Sequence, residues 1–409
     1  MTPRERIIAA TNHRPTDILP IDFGAMRSTG ISIVAYDKLK RYLGFTEGIP
    51  KIYDVYQQLA EPEPAVAARM GGDVVQVHRL CPSFGLPIKE WKTVTIPQGV
   101  TCRVPAGYSP EPAEGGGWIL RDAAGVPFAR MPATGLYFDT LTAPLAEAET
   151  IADVDAAAFP TVTDEELDFL EEEARTLYET TDKALLFAFG GNILEAGESW
   201  FGFEKFFEFL LTEPELVHHF LEKLTAMYMT DLEKILGRIG KYIQVIQFGD
   251  DLGTQEAPLI SLKTYREMIK PYQQRQYQYV RQQYPEVKVF LHSCGAIFPL
   301  IPDLIDAGVE ILNPVQISAA GMEPRALKES FGKDIVFWGG GANMQGTVLN
   351  GSVEDIRREV RELIGIFSEG SGFVFNQVHN IQANVPPEKI LAIYDTALAF
   401  REEQRQGRR

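Results

Sequence analysis

The sequence predicts an α/β chain folded as a TIM (β/α)8 barrel with an inserted β-meander. Three observations carry this. Eight short apolar runs read as buried parallel strands. Helical patterns separate most of them. Polar side chains collect just past the strand ends, where a barrel keeps its site. No Gly-x-Gly-x-x-Gly turn follows the first strand, which weighs against a doubly wound open sheet. The chain of 409 residues is long for one domain, but barrels reach this size when they carry insertions. Residues 1–400 are read as a single barrel domain with a β-rich insertion at about 90–135, and 401–409 as a polar, frayed tail.

Taken in order, Thr2-Pro3-Arg4-Glu5 is a capping box with proline at the first helical position, so a helix runs to about Asn12. Asp17–Gly24 is the first strand, ending in Asp22 and a glycine. Residues 33–72 have a helical pattern broken at Pro62 and Pro64, and Asp73–Arg79 is the second strand. From 90 to 135 the segments shorten and alternate, as in Trp91–Ile96, Thr101–Val104 and Gly117–Arg121, with proline, glycine and Asp122-Ala123-Ala124-Gly125 turns between them; a flap or edge layer is expected there. A second capping box, Thr163-Asp164-Glu165-Glu166, restarts the α/β rhythm. The remaining strands are Ala184–Gly191, Tyr242–Asp250, Val289–Gly295, Val309–Pro314, Ile335–Gly341 and Gly372–His379, with helices such as 214–239, 261–283 and 352–369 between them.

Composition excludes several function classes. Lys and Arg number 39 against 56 Asp and Glu, a net charge of −17, which disfavours nucleic acid or an anionic membrane as partner. No apolar run approaches the roughly 20 residues of a membrane span, and Met1–Glu5 does not read as a signal peptide. Cys81, Cys102 and Cys294 form no disulfide framework, as expected of a cytoplasmic protein.

The strand ends, read in order, give Asp22, His78 with Arg79, Asn192 with Glu195, Asp250 with Asp251, and His292 with Cys294. Asn313, the Gly339-Gly340-Gly341 turn with Gln345, and His379 follow. Buried polar groups cost free energy unless paired, so this concentration reads as a functional mouth. His292 and Cys294 lie two apart on one strand and share a face, an imidazole and a thiol able to hold zinc; the plainer reading is a packed histidine beside an inert cysteine. Asp250 and Asp251 are adjacent and point apart, so one is a ligand or proton carrier and the other a cap. The glycine triplet either offers N–H groups to an anion or is a close-packing turn.

Asn12–Asp17, Phe248–Gly253, Leu291–Gly295, Phe337–Gly341 and Val378–Gln382 followed by Val385-Pro386-Pro387-Glu388 resemble the uroporphyrinogen decarboxylase superfamily over nearly the whole chain outside the insertion. The resemblance implies a TIM barrel and one of two chemistries. Metal-free decarboxylases grip substrate carboxylates through an N-terminal Arg-Gln-Ala-Gly-Arg motif, where this chain has Asp22-Phe23-Gly24-Ala25-Met26-Arg27 with one arginine. Cobamide-dependent methyltransferases hold zinc by a His-x-Cys pair and a later cysteine. His292 and Cys294 match the pair, and the later position falls near His379, which gives a His₂Cys set with an open fourth position.

The expectation is therefore a zinc-assisted methyltransferase moving a methyl group between a corrinoid, supplied by a partner protein or as substrate, and a small acceptor such as a thiol or folate. Metal is assigned to His292, Cys294 and His379, catalysis to Asp250 and Asp22, and substrate contacts to Arg27, His78, Asn192, Asn313 and Gln345. The alternative is a metal-free decarboxylase of uroporphyrinogen or a related acid, and a third class is a corrinoid or tetrapyrrole binder without turnover.

Overall fold

The structure, a computed structural model, describes residues 1–407. Seven parallel strands form one curled sheet in chain order: Val74–Val77, Ala184–Gly190, Val245–Gly249, Lys288–His292, Ile311–Asn313, Val336–Trp338 and Phe373–Val374. The eighth position is filled by residues 20–22. Phe375 N–H donates to the Pro20 carbonyl and Asp22 N–H to that of Phe375, both at 2.9 Å, and on the other side Asp73 N–H donates to Ile21 at 2.7 Å. The first strand is thus reduced to a bridge that closes the ring, and the fold is TIM-barrel-like.

Strand alternation sorts the core into two populations. Leu185, Phe187, Ile246, Phe248, Val289 and Leu291 face the helices. Val74, Ala184, Leu186, Val245, Phe290, Ile311, Val336, Trp338 and Val374 fill the interior. This is the layered filling that makes such a barrel a packed core instead of a pore. The helix Pro3–Thr11, closed at its start by the Thr2/Glu5 capping box, adds Ile7 and Ala10 to the same interior cluster. The next inward-facing layer is polar, with Gln76, Gln247, His292 and Asn313 standing where the apolar filling stops.

Several elements differ from the sequence reading. Within 33–72 only Ile33–Tyr42 and Pro64–Arg69 are helical. Between them Ile52–Asp54 pairs antiparallel with Leu59–Ala60, a hairpin that apolar periodicity alone does not separate from a helix. At Thr163 the cap is only half a box: its hydroxyl accepts from Glu166 N–H, but the Glu166 carboxylate turns away to Arg79 at 2.7 Å. The β-rich segment comprises the pair Trp91–Thr95 and Thr101–Pro105 and a four-stranded sheet that runs on to Asp139–Thr140. Gly339, Gly340 and Gly341 donate their N–H groups to Val374, Pro314 and Asn376, so the triplet is a packing turn.

The tail reading is corrected most. The helix Pro387–Gly407 continues through residues 401–407; only 408 and 409 lie outside the described residues. Arg401 is buried, donating to the Leu19 carbonyl at 2.6 Å, the Gly71 carbonyl at 2.9 Å and the carboxylate of Asp73. Asp73 also takes Arg6 at 2.6 Å and Ile21 N–H at 2.9 Å, so this network ties the last helix to the seam of the barrel. Arg401→Ala strands part of that buried charge and is expected to cost about 3 kcal/mol. Urea unfolding followed by circular dichroism measures it; an unchanged midpoint would make the network ornamental.

Candidate functional site

A cavity of about 710 Å³ opens over the polar layer. Its lining includes Gln76, Gln247, Asn192, Glu195, Asp251, His292 and His379, together with Arg27, Tyr53, Asp54 and Tyr56 from the chain after the first strand. Thr140 reaches in from the end of the β-rich segment, whose Tyr137 hydroxyl donates to Asn380 at 3.0 Å. The insertion therefore packs against the loop that carries His379.

Two of the lining residues, His292 and His379, meet Cys294: the ligand atoms of the three all lie within 4.8 Å of one another. Cys294 Sγ stands 3.5 Å from His292 Nε2, close to the roughly 3.3–3.6 Å edge of a tetrahedron built on zinc–nitrogen and zinc–sulfur bonds. The protonation of His292 follows from its partner. Asn313 donates through Nδ2 to the Trp338 carbonyl at 2.8 Å, which can only accept. Its Oδ1 is then the atom 2.7 Å from His292 Nδ1, so Nδ1 carries a proton and Nε2 is the ring nitrogen that faces Cys294. Gly295 permits the turn beyond the strand: it has φ 93°, and a Cβ there would meet the Gly253 carbonyl oxygen at 2.2 Å.

His379 has φ 60°, an unusual conformation for a non-glycine residue, and its carbonyl accepts from Gln377 Nε2 at 3.0 Å. Such a strained backbone persists where surrounding bonds over-determine it. Burial, reinforced by His292, lowers its pKa to about 4, so the imidazole is neutral. Burial and the neighbouring Asp251 push the Cys294 thiol well up. This donor set, two imidazoles and one thiol in contact, suits zinc, whose charge would deprotonate the thiol outright.

The other sequence candidates divide. Arg27 and Asn192 face the cavity, Arg27 paired with Asp54 and Asn192 donating to Glu195 at 2.5 Å. Asn313 is buried behind His292, a positioning residue instead of a wall contact. Gln345 does not line the cavity; it accepts from Gln316 at 3.0 Å, and Gln316 accepts Gly295 N–H at 2.8 Å, so it braces the turn after Cys294. His78 packs against Tyr53 with ring centroids 4.6 Å apart and planes tilted by 51°, and lines a neighbouring cavity of about 330 Å³ with Glu173 and Lys183.

The two residues assigned to catalysis both lie outside the cavity lining. Asp250 is fully buried and accepts from the N–H groups of Ile193, Leu194 and Glu195 at 2.9–3.0 Å and from Gln273 at 2.8 Å. It anchors the start of the helix Leu194–Phe201 and does not line the cavity. Asp22 is also fully buried, accepting from Trp338 Nε1 and Ala25 N–H, both at 3.0 Å. The carboxylate that faces the cavity is Asp251. Its side chain is 40% exposed, its Oδ1 accepts Cys294 N–H at 2.8 Å and stands 3.7 Å from His292 Nε2. The opposed directions of adjacent strand residues allow this division but do not say which member turns inward. Glu195, which burial and Asp251 push up to about 8, and Cys81 also line the cavity. Glu195 was among the polar residues the sequence collects at the strand ends, whereas Cys81 lies beside no ligand pattern.

Comparison with known proteins gives the following. A family model described as uroporphyrinogen decarboxylase (URO-D) matches residues 126–400. A uroporphyrinogen decarboxylase of Chlorobium limicola is 27% identical over 256 residues, 58% of this chain and 66% of that protein. One of Chlorobium luteolum is 27% identical over 183 residues, 44% and 47%. The chain thus spans about half to two thirds of the length of these curated relatives. Among solved structures, a methyltransferase from Methanosarcina mazei aligns over 98% of this chain and 99% of its own with a TM-score of 0.62 at 17% identity, a likeness of fold.

Proposed function

The chain belongs to the uroporphyrinogen decarboxylase family, and from that membership we propose that it is an enzyme of the family's methyl-transfer branch. In this reading it is zinc-assisted and moves a methyl group between a corrinoid, carried by a partner protein, and a small acceptor such as a thiol or folate. The observation that carries the reading is the meeting of His292, Cys294 and His379. Zinc held there would keep a thiol acceptor deprotonated at neutral pH.

The chain's own residues supply the rest. Asn313 fixes the His292 tautomer, and Gly295 lets the backbone turn so that Cys294 points back at the imidazole. Asp251, beside the donor set and open to the cavity, takes the proton an incoming thiol gives up. Thr140 lines the cavity from the insertion side. The three cysteines, none in a disulfide, support a cytoplasmic setting, and among the described residues no helix is long and apolar enough to cross a membrane.

The shared name of the curated relatives favours a second reading, metal-free decarboxylation of uroporphyrinogen or a related acid. Against it, the two arginines lining the cavity are already paired, Arg27 with Asp54 and Arg79 with Glu166. Metal analysis separates the two. About one zinc per chain is expected in the purified protein and a large loss in Cys294→Ala. Equal zinc in both proteins, or turnover of uroporphyrinogen under strong chelation, would end the methyl-transfer reading.

A further inference from the structure

The charges around the cavity do not balance. Two guanidinium groups line it, Arg27 and Arg79, against four carboxyl groups, Asp54, Glu166, Glu195 and Asp251. Both guanidiniums are committed. Arg27 pairs with Asp54 and donates to the Pro82 carbonyl at 3.1 Å. Arg79 pairs with Glu166 at 2.7 Å and donates to the Phe189 carbonyl at 3.4 Å. Glu195 and Asp251 remain, joined where Asp251 N–H donates to Glu195 Oε2 at 3.1 Å, with no lysine or arginine of the lining left to meet them.

The rest of the wall suits the same sign of ligand. Tyr53, Tyr56 and Phe189 face the cavity, and Tyr56 already carries the Arg27 guanidinium 5.5 Å above its ring. Aromatic faces beside carboxylates attract cations. An anion entering here gives up its hydration and meets two carboxyl groups with no unpaired lysine or arginine of the lining to receive it.

We propose that the cavity takes a substrate with a cationic head, an amine or a quaternary ammonium, in preference to a small carboxylate or sulfonate of like size, with Glu195 and Asp251 setting that choice. This rests on the site assigned above and names the class of molecule that enters it.

The test is calorimetric titration of the full chain with tetramethylammonium chloride and, separately, sodium methanesulfonate at constant ionic strength, with and without added zinc. Saturable binding of tetramethylammonium and weaker or no binding of methanesulfonate is expected. The double variant Glu195→Gln/Asp251→Asn should weaken the cation roughly tenfold. Both replacements keep the oxygen that accepts from Cys294 N–H or Asn192, so the fold is retained; if the double variant unfolds, Glu195→Gln alone carries the comparison. Methanesulfonate binding as tightly as the cation, no saturable cation binding, or a variant that binds it unchanged overturns the inference. Cation selectivity without zinc uptake would uphold it while removing the metal reading, and zinc uptake without cation selectivity would do the reverse.

Discussion

Asp250→Ala is expected to lose about 5 kcal/mol of folding stability, because four buried donors lose their acceptor at once. The three backbone N–H groups are those of Ile193, Leu194 and Glu195, at the start of a helix that has no side-chain cap of its own, and the fourth donor is Gln273 Nε2. No neighbouring group can substitute: the site has 0% exposure, so water does not replace the carboxylate without rearrangement. Asp250→Asn keeps one acceptor oxygen but turns a donor toward N–H groups, and should fall between parent and alanine. Asp251→Ala, at a side chain 40% exposed, should cost less than about 1 kcal/mol. Urea unfolding by circular dichroism compares the four proteins. An Asp250→Ala midpoint equal to that of Asp251→Ala would contradict the anchoring role and reopen Asp250 as a site residue.

Asn313→Ala is expected to weaken zinc binding about 10- to 100-fold without removing a ligand. Its Oδ1 fixes the proton on His292 Nδ1, while Nδ2 is held by the Trp338 carbonyl. Alanine frees the ring to rotate and to adopt the other tautomer, so Nε2 no longer arrives preorganised. Asn313→Asp keeps an acceptor facing Nδ1 and should recover part of the affinity, whereas His379→Ala deletes a donor and should fall below both. Competition against a chromophoric chelator measures all of them without any assay of turnover. Equal affinities for parent and Asn313→Ala would show that the amide does not orient the imidazole.

The barrel was legible because burial on both faces leaves a repeated signature: near-continuous apolar runs such as Val289–Leu291 and Ala184–Phe189, closed by polar residues. The His292 and Cys294 pair was legible for the same reason, since strand period puts residues two apart on one side. The hairpin at 52–60 was not, because apolar residues at mixed spacing satisfy helix and strand templates equally. Arg401 misled in a different way. A polar C-terminus reads as solvated, and only a partner 328 residues earlier, Asp73, makes a buried guanidinium affordable.

By itself the sequence determined the alternation of strands and helices, the ends at which chemistry collects, and the pairing of an imidazole with a thiol, because these depend on local periodicity. That His379 joins the pair was implied only by the family resemblance, and the tertiary structure brings the three together; the tertiary structure alone decided that Asn313 stands behind His292. It also decided that Asp251, not Asp250, faces the cavity and that both cavity arginines are already paired. Each of these is a contact between segments far apart in the chain, set by how the ring closes and which way a residue past a strand end turns, and local pattern carries no record of either.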